Sequence, residues 1–287
     1  MSARPRFLVV DGYTKAARDE LAAGGAAVAG ELYAAMLKDE SPGARCDVLY
    51  PSDPGASLPE GAALSQYDAV AWTGCSLTIF EDSAEVRRQI DFTRAIYKAG
   101  VPSFGSCWAA QIAVVAAGGK CAANPRGREM GIARKIALTP EGRAHPLYEG
   151  KASVFDGFIS HYDEVTELPT GAVRLAGNAF TRVQAVAVDH EGGRFWGLQY
   201  HPEYDLGEMA RLVWCRIDKL IADGFFADRT AAERYVAEME ALHADPGRAD
   251  IAWRLGVDED VMDTRIRRAE VRNWITHLVT PTMAERR

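Results

Sequence analysis

The sequence lacks a basic excess, a pairable set of cysteines and a leader-like apolar run, and each absence excludes a class of protein. Thirty-three Lys and Arg against forty Asp and Glu leave a formal net charge of −7. That is the wrong sign for a chain whose main partner is a nucleic acid or an anionic membrane. The five cysteines (Cys46, Cys75, Cys107, Cys121 and Cys215) are odd in number and have no C-x-x-C spacing. This speaks against a disulfide framework and a structural zinc site, and for a reducing compartment. At the amino end only four apolar residues, Phe7–Val10, precede Asp11. They are too few for a signal-peptide core, so a cytoplasmic location is expected. His145, His161, His190, His243 and His277 show no metal-ligand spacing, and there is no G-x-x-x-x-G-K-[ST] loop. No metal and no cofactor are expected, and the partner is expected to be a small molecule.

Charge is also missing from Ala99–Gly119, 21 residues without an Asp, Glu, Lys, Arg or His. That is long enough to span a bilayer, but Gly100, Pro102, Gly105, Gln111 and a terminal Gly-Gly pair interrupt it. The alternative is a buried strand, a turn and a helix, and the rest of the chain favours it. Phe7–Asp11, Cys46–Tyr50, Asp68–Gly74 and Val101–Gly105 read as short buried strands. Between them, Lys15–Leu37 and Ser83–Lys98 read as helices, the first weakened at Gly24-Gly25, and Trp108–Ala117 follows as a third. Alternating strands and helices predict an α/β chain with a mostly parallel sheet flanked by helices. From Met130 to Gln199 the β-rich runs lie close together, which predicts mixed or antiparallel additions to the sheet. Asp205–Ala222 returns to helix. The expected division is a main domain over 1–224 and a helical C-terminal extension over 225–287. The extension opens on a capping-box pattern, Thr230-Ala-Ala-Glu233, and carries a basic run, Arg265, Arg267 and Arg268, expected on a solvated helix face.

Two short elements carry chemistry. In Phe104-Gly105-Ser106-Cys107-Trp108 an apolar strand runs into G-x-C and a helix follows at once, the arrangement of a nucleophile elbow. The turn holds the sulfur clear of the sheet, the helix start favours a thiolate, and the Trp108 backbone N–H faces the place where an oxyanion forms. The second element is His201-Pro202-Glu203. Pro202 biases His201 to extended backbone, where residues two apart share a face, so the carboxylate of Glu203 is placed to orient the imidazole. Taken singly, Cys107 reads as a buried structural cysteine and H-P-E as a polar strand end. Together they stand 94 positions apart in the order Cys, His, Glu, whereas an α/β-hydrolase places its acid before its histidine.

This combination resembles the class I glutamine amidotransferases, with their G-x-C-x-G-x-Q and H-P-E patterns. The likeness extends through Thr73-Gly74, Asn124–Glu129, Ser160–Val165 and Trp196–Gln199, covers roughly residues 5–222, and is greatest to the glutaminase domain of GMP synthase. It implies a flavodoxin-like class I amidotransferase fold. It also implies a reaction in which Cys107 attacks the side-chain amide of glutamine and His201, oriented by Glu203, protonates the departing ammonia. The oxyanion would lie between the Trp108 amide and the backbone of Gly74 and Cys75. Gln111 matches a substrate-holding position, and His161 falls in a matching motif that lines the site. Ala109 stands where the family has Gly, Thr73-Gly74-Cys75-Ser76 replaces an S-G-G-P-like loop, and Tyr162 replaces a small residue; these changes bear on the shape of the pocket.

Two activities fit. The first reading is glutamine hydrolysis releasing ammonia for a partner synthetase, because the chain has no S-G-G-x-D-S-like loop and its last sixty residues cannot house an ATP-pyrophosphatase domain. The other is a free-standing γ-glutamyl amide or peptide hydrolase, which the altered pocket residues favour. The presence of Cys107, His201 and Glu203 together speaks against a non-catalytic binding protein.

Overall fold

Every residue of Phe7-Leu8-Val9-Val10 is fully buried, as a strand covered on both faces requires. A computed structural model describes residues 4–59 and 61–286; Met1–Ala3 and Arg287, at the ends of the expected domains, and Glu60, in the Pro- and Gly-rich stretch Asp53–Gly61, lie outside them. The strands are β1 Arg6–Val10, β2 Arg45–Leu49, β3 Ala69–Trp72, β4 Ser103–Ser106, β5 Lys120–Ala123 and β6 Glu129–Leu138. They continue as β7 Val154–His161, β8 Asp163–Glu167, β9 Ala172–Gly177, β10 Ala185–His190 and β11 Gly193–Leu198. Among the described residues, nine of them form one sheet in the order β2-β1-β3-β4-β11-β10-β9-β6-β7, and β5 pairs with β8 in a separate ribbon. The five strands from β2 to β11 run parallel, and the remaining four are antiparallel additions.

The main helices are α1 Lys15–Ala23, α2 Ala29–Glu40, α3 Ala84–Lys98, α4 Trp108–Ala116, α5 Pro140–Ala144, α6 Leu206–Cys215, α7 Ile217–Ala222 and α8 Arg229–Ala244. The uncharged stretch Ala99–Gly119 is β4, a turn and α4, and among the described residues no helix is long and apolar enough to cross a membrane. Three expectations are corrected. Lys15–Leu37 is two helices, because the chain turns at Gly24-Gly25, with Gly25 at φ 82°, and restarts at Ala29. Asp205–Ala222 breaks at Arg216, which leaves helical geometry at φ −113°, ψ 13°. Helix α8 is capped not by Thr230 but by Asp228, whose carboxylate accepts the Ala231 N–H and satisfies an otherwise orphaned donor.

The sheet has two covered faces, and side-chain alternation decides which residue faces which way. Leu8, Val10, Val70 and Trp72 turn towards α3 and α4, together with Val86, Ile112 and Phe195. Phe7, Val9, Ala71, Phe104 and Leu198 turn the other way, against Tyr33 and Leu37 of α2 and against Val271, Trp274, Leu278 and Met283 from the end of the chain. After α8 the chain continues through short helices at Ala249–Leu255, Glu259–Met262, Thr264–Arg267 and Ala269–Trp274. A π turn at Ile275–Val279 then leads into a helix at Thr280–Glu285. Trp274 is fully buried, its ring 5.7 Å from Phe7 and 5.3 Å from Phe104. Residues after 224 thus supply part of the sheet's cover. The basic run is not uniformly solvated either. Arg265 is exposed, but Arg267 is buried and donates to the Val261 carbonyl, and Arg268 pairs with Asp39 of α2 at 3.1 Å. Removing the Trp274 indole should cost about 3–5 kcal/mol. Urea denaturation of Trp274→Ala checks this; a loss below about 1 kcal/mol, the range of ordinary surface changes, would contradict the packing role.

Helix α4 lies very close to the sheet, and two glycines permit it. Gly105 of β4 and Gly197 of β11 are register partners. A Cβ on Gly105 would stand 2.6 Å from the Ala109 Cβ, and one on Gly197 would stand 2.7 Å from the Ala110 Cα. The methyl group of Ala109 therefore fits into the space left by Gly105.

Candidate active site

Four parallel strands, β1, β3, β4 and β11, end on the same side of the sheet, and a cavity of about 540 Å³ opens there. This is the usual place for ligands in a sheet of this kind. Tyr13 follows β1, Gly74 and Cys75 follow β3, Cys107 follows β4 and His201 follows β11; all five line the cavity. Gln111, Ser160 and His161 complete the inner wall, and Arg128, Lys219 and Asp223 are among the charged residues around it.

Cys107 occupies the turn between β4 and α4 at φ 53°, ψ −98°. A non-glycine residue is uncommon at positive φ, and such strain costs on the order of 1–3 kcal/mol. The turn is held by the neighbouring strand β11, where the Cys107 N–H donates to the Leu198 carbonyl at 2.6 Å. The strained backbone points the thiol into the cavity, its Sγ 3.5 Å from the Ser160 carbonyl oxygen. Trp108 opens the helix, so its N–H has no helical acceptor. Its indole is anchored away from the cavity, donating to Gln89 Oε1 at 2.8 Å.

His201 is fixed on three sides. Its backbone N–H donates to the Phe158 carbonyl at 2.8 Å. Its Nδ1 lies 2.6 Å from Glu203 Oε1. Its ring stacks on Tyr204 with centroids 4.1 Å apart and planes 8° apart. The opposite ring nitrogen, Nε2, is buried and has no hydrogen-bond partner among the described residues. Burial works against a charged imidazole here, but the Glu203 carboxylate and the neighbouring Cys107 outweigh it, and the ring is held up to about 9. A Cβ placed on Gly74 would stand 2.9 Å from His201 Cε1 and 3.4 Å from Cys107 Cβ, so the imidazole and the thiol face the same bare stretch of backbone. Gly74→Ala should displace the ring and lower turnover about 10²-fold, as small misplacements of reacting groups do, while the melting temperature stays near that of the parent. Unchanged turnover would show that the ring has room to move.

Glu203 is also held at both oxygens. Ser106 Oγ donates to its Oε2 at 2.8 Å, and Ser106 in turn bonds Tyr33 OH. Because the serine proton goes to the carboxylate, the tyrosine is the donor in that second bond. Burial and the nearby Glu203 charge hold the Tyr33 phenol well above its ordinary value, so it stays protonated and able to donate. Sequence reading missed Tyr33 and Ser106. Ser106 sits beside Cys107 in the motif, but nothing local ties Tyr33 to a glutamate 170 positions away.

The remaining sequence candidates fall as follows. Gln111 is buried in the wall, its amide nitrogen 3.1 Å from the Asp163 carbonyl and 3.4 Å from Gln199 Oε1. His161 lines the cavity but both ring nitrogens are engaged, Nδ1 by the Asp163 carbonyl at 2.8 Å and Nε2 by Glu129 at 3.0 Å. Glu129 also accepts from Asn178, Thr181 and Gln184. Burial disfavours its charge, yet His161 and these donors keep its carboxyl below the ordinary value. Cys75 shares the wall with Cys107, but burial drives its thiol well above the ordinary value, leaving it protonated and unreactive. Tyr162 is exposed at the rim, beneath the Arg128 guanidinium at 5.7 Å. No group of three or more His, Cys, Asp or Glu placed to hold a metal occurs among the described residues.

A family model for glutamine amidotransferase class-I matches residues 78–214. A γ-glutamyl-L-1-hydroxyisopropylamide hydrolase from a Pseudomonas species is 34% identical over 284 residues, covering 96% of this chain and 94% of the relative. A glutamine-hydrolysing GMP synthase from a Nitratiruptor species is 32% identical over 148 residues, but that match covers 52% of this chain and only 26% of the synthase. Among solved structures, a glutamine amidotransferase from Thermotoga maritima aligns with a TM-score of 0.62 at 17% identity, covering 89% of this chain and all of that one. The chain belongs to the class-I glutamine amidotransferase family and is an enzyme acting on C–N amide bonds.

Proposed function

We propose that the protein is a free-standing hydrolase of γ-glutamyl amides, with Cys107 as nucleophile. The observation that carries this reading is the end-to-end match to a γ-glutamyl amide hydrolase, which includes the helical tail that covers the sheet. The GMP synthases matched are far longer than the part they share with this chain. The sequence reading ranked glutamine and a partner synthetase first; the full-length relative moves the weight to the hydrolase.

In this mechanism Cys107, its proton held by His201, adds through sulfur to the γ-carbonyl carbon. The oxyanion so formed accepts hydrogen bonds from the backbone N–H of Trp108 and from the Gly74–Cys75 backbone. Collapse breaks the C–N bond, and the imidazolium gives its Nε2 proton to the departing amine. The remaining γ-glutamyl thioester is attacked by water, which loses its proton to neutral His201, and glutamate leaves as the thiolate re-forms. Glu203 keeps the imidazole in one orientation and stabilises its charged form. Gln111, its nitrogen engaged by the wall, has its carboxamide oxygen left to accept from the substrate; His161 acts through the wall rather than through a free ring nitrogen.

The test is amine release by the purified protein from γ-glutamyl amides of small branched amines, with glutamine alongside. Faster turnover of the amides supports the reading. Ammonia from glutamine that appears only with an added synthetase would replace it with the first alternative.

A further inference from the structure

Helix α6 ends where Arg216 leaves helical geometry, and the break carries the Arg216 side chain to the wall of the Cys107 cavity. Its guanidinium donates to two neutral oxygens, Ser160 Oγ at 2.7 Å and Tyr13 OH at 3.4 Å. Among the described residues no carboxylate lies within ion-pair distance of it. The contrast with Arg128 in the same wall is direct: that guanidinium is paired with Asp223 at 3.1 Å. A partly buried guanidinium with five N–H donors and no acid beside it is costly unless an anion completes it.

Its position relative to the thiol supplies the chemistry. Ser160 joins the two: its carbonyl faces Cys107 Sγ at 3.5 Å and its hydroxyl oxygen accepts a hydrogen bond from Arg216. The guanidinium and the sulfur thus line the same cavity with Ser160 between them. A γ-glutamyl substrate carries its α-carboxylate on the far side of two methylenes and the α-carbon from the carbonyl that is attacked.

Resting on the γ-glutamyl reading above, we infer that Arg216 is a specificity-determining residue that binds the free α-carboxylate of the substrate. Substrates are then γ-glutamyl amides with an unblocked α-carboxylate, and amides or esters at that position are excluded. Ser160 and Tyr13 hold the guanidinium in place between turnovers.

The test compares γ-L-glutamyl isopropylamide with its α-methyl ester on the parent enzyme, R216Q and R216K. Charge-assisted hydrogen bonds of about 1.5–3 kcal/mol correspond to about 10- to 150-fold in affinity. The parent should show a KM for the ester higher than for the acid by a factor in that range. R216Q should raise KM for the acid by a similar factor with kcat changed less than about threefold, leave the ester nearly unaffected, and be partly rescued in R216K. An ester handled as well as the acid by the parent would overturn the inference even if R216Q failed to fold, and so would equal losses on both substrates in R216Q. If the parent splits neither compound, the γ-glutamyl reading has failed, and the Arg216 assignment is decided by binding of L-glutamate to Cys107→Ala protein by calorimetry. R216Q weakening that binding by about tenfold or more upholds it; unchanged affinity overturns it.

Discussion

Replacing Cys107 by alanine should lower amide hydrolysis by about 10⁴-fold or more while the fold survives. The magnitude is the one expected from removing the proposed nucleophile. Cys75 and Cys215 also line the cavity, and burial raises both thiols above their ordinary value. Stability should respond in an unusual direction. At φ 53° the elbow disfavours any side chain, so Cys107→Gly should be more stable than Cys107→Ala by about 1 kcal/mol, the reverse of the order in an ordinary helix. Paired kinetics and thermal melts check both parts. Substantial residual activity in Cys107→Ala would place the chemistry elsewhere, and a less stable glycine variant would mean that the elbow is not strained.

Glu203→Gln should be nearly as damaging, at about 10³- to 10⁴-fold in kcat, the range seen when the acid orienting a catalytic histidine is neutralised. The pH profile separates an electrostatic role from a packing one. His201 is raised from 6.5 to about 9, and the Glu203 charge is the largest of the influences that raise it. Imidazolium is therefore the resting form at neutral pH, and kcat/KM should fall on an alkaline limb near 9. Without the carboxylate, burial is no longer outweighed, so the limb should move to lower pH in Glu203→Gln. The sign for stability follows the same shift. A group raised on folding contributes fully below its unfolded value near 6.5 and loses that contribution as pH rises through about 9. Parent and Glu203→Gln should accordingly differ most in melting temperature at acidic pH and converge above 9. An alkaline limb that stays in place in the variant would contradict the assignment of Glu203.

The parts of this molecule that could be read from sequence are those written locally. The strand–turn–helix at Cys107 and the H-P-E step at His201 are each contained in a few residues, because backbone geometry at a sharp turn and before proline is a local matter. The parallel strands were legible for the same reason, as short apolar runs between helices. What escaped was settled by distant pairing. The apolar stripe of α6 runs on into α7 without a gap, so the break at Arg216 leaves no periodic trace, although it brings a guanidinium into the cavity. Tyr33 reaches Glu203 through Ser106 across the sheet. Trp274 carries the same apolar signal whether it packs at an interface or, as here, on Phe7 and Phe104. Asp228, not Thr230, caps α8; both are good acceptors two residues apart, and the local pattern alone does not choose between them.

The account stands most directly on a covalent γ-glutamyl intermediate at Cys107. Rapid acid quench of the enzyme during turnover of a γ-glutamyl amide, followed by peptide mass spectrometry, tests it. The expected result is a mass increase of one glutamyl group on the peptide containing Cys107, removed by hydroxylamine and absent in Cys107→Ala. Turnover without an adduct at Cys107, or an adduct on Cys75 instead, would contradict it.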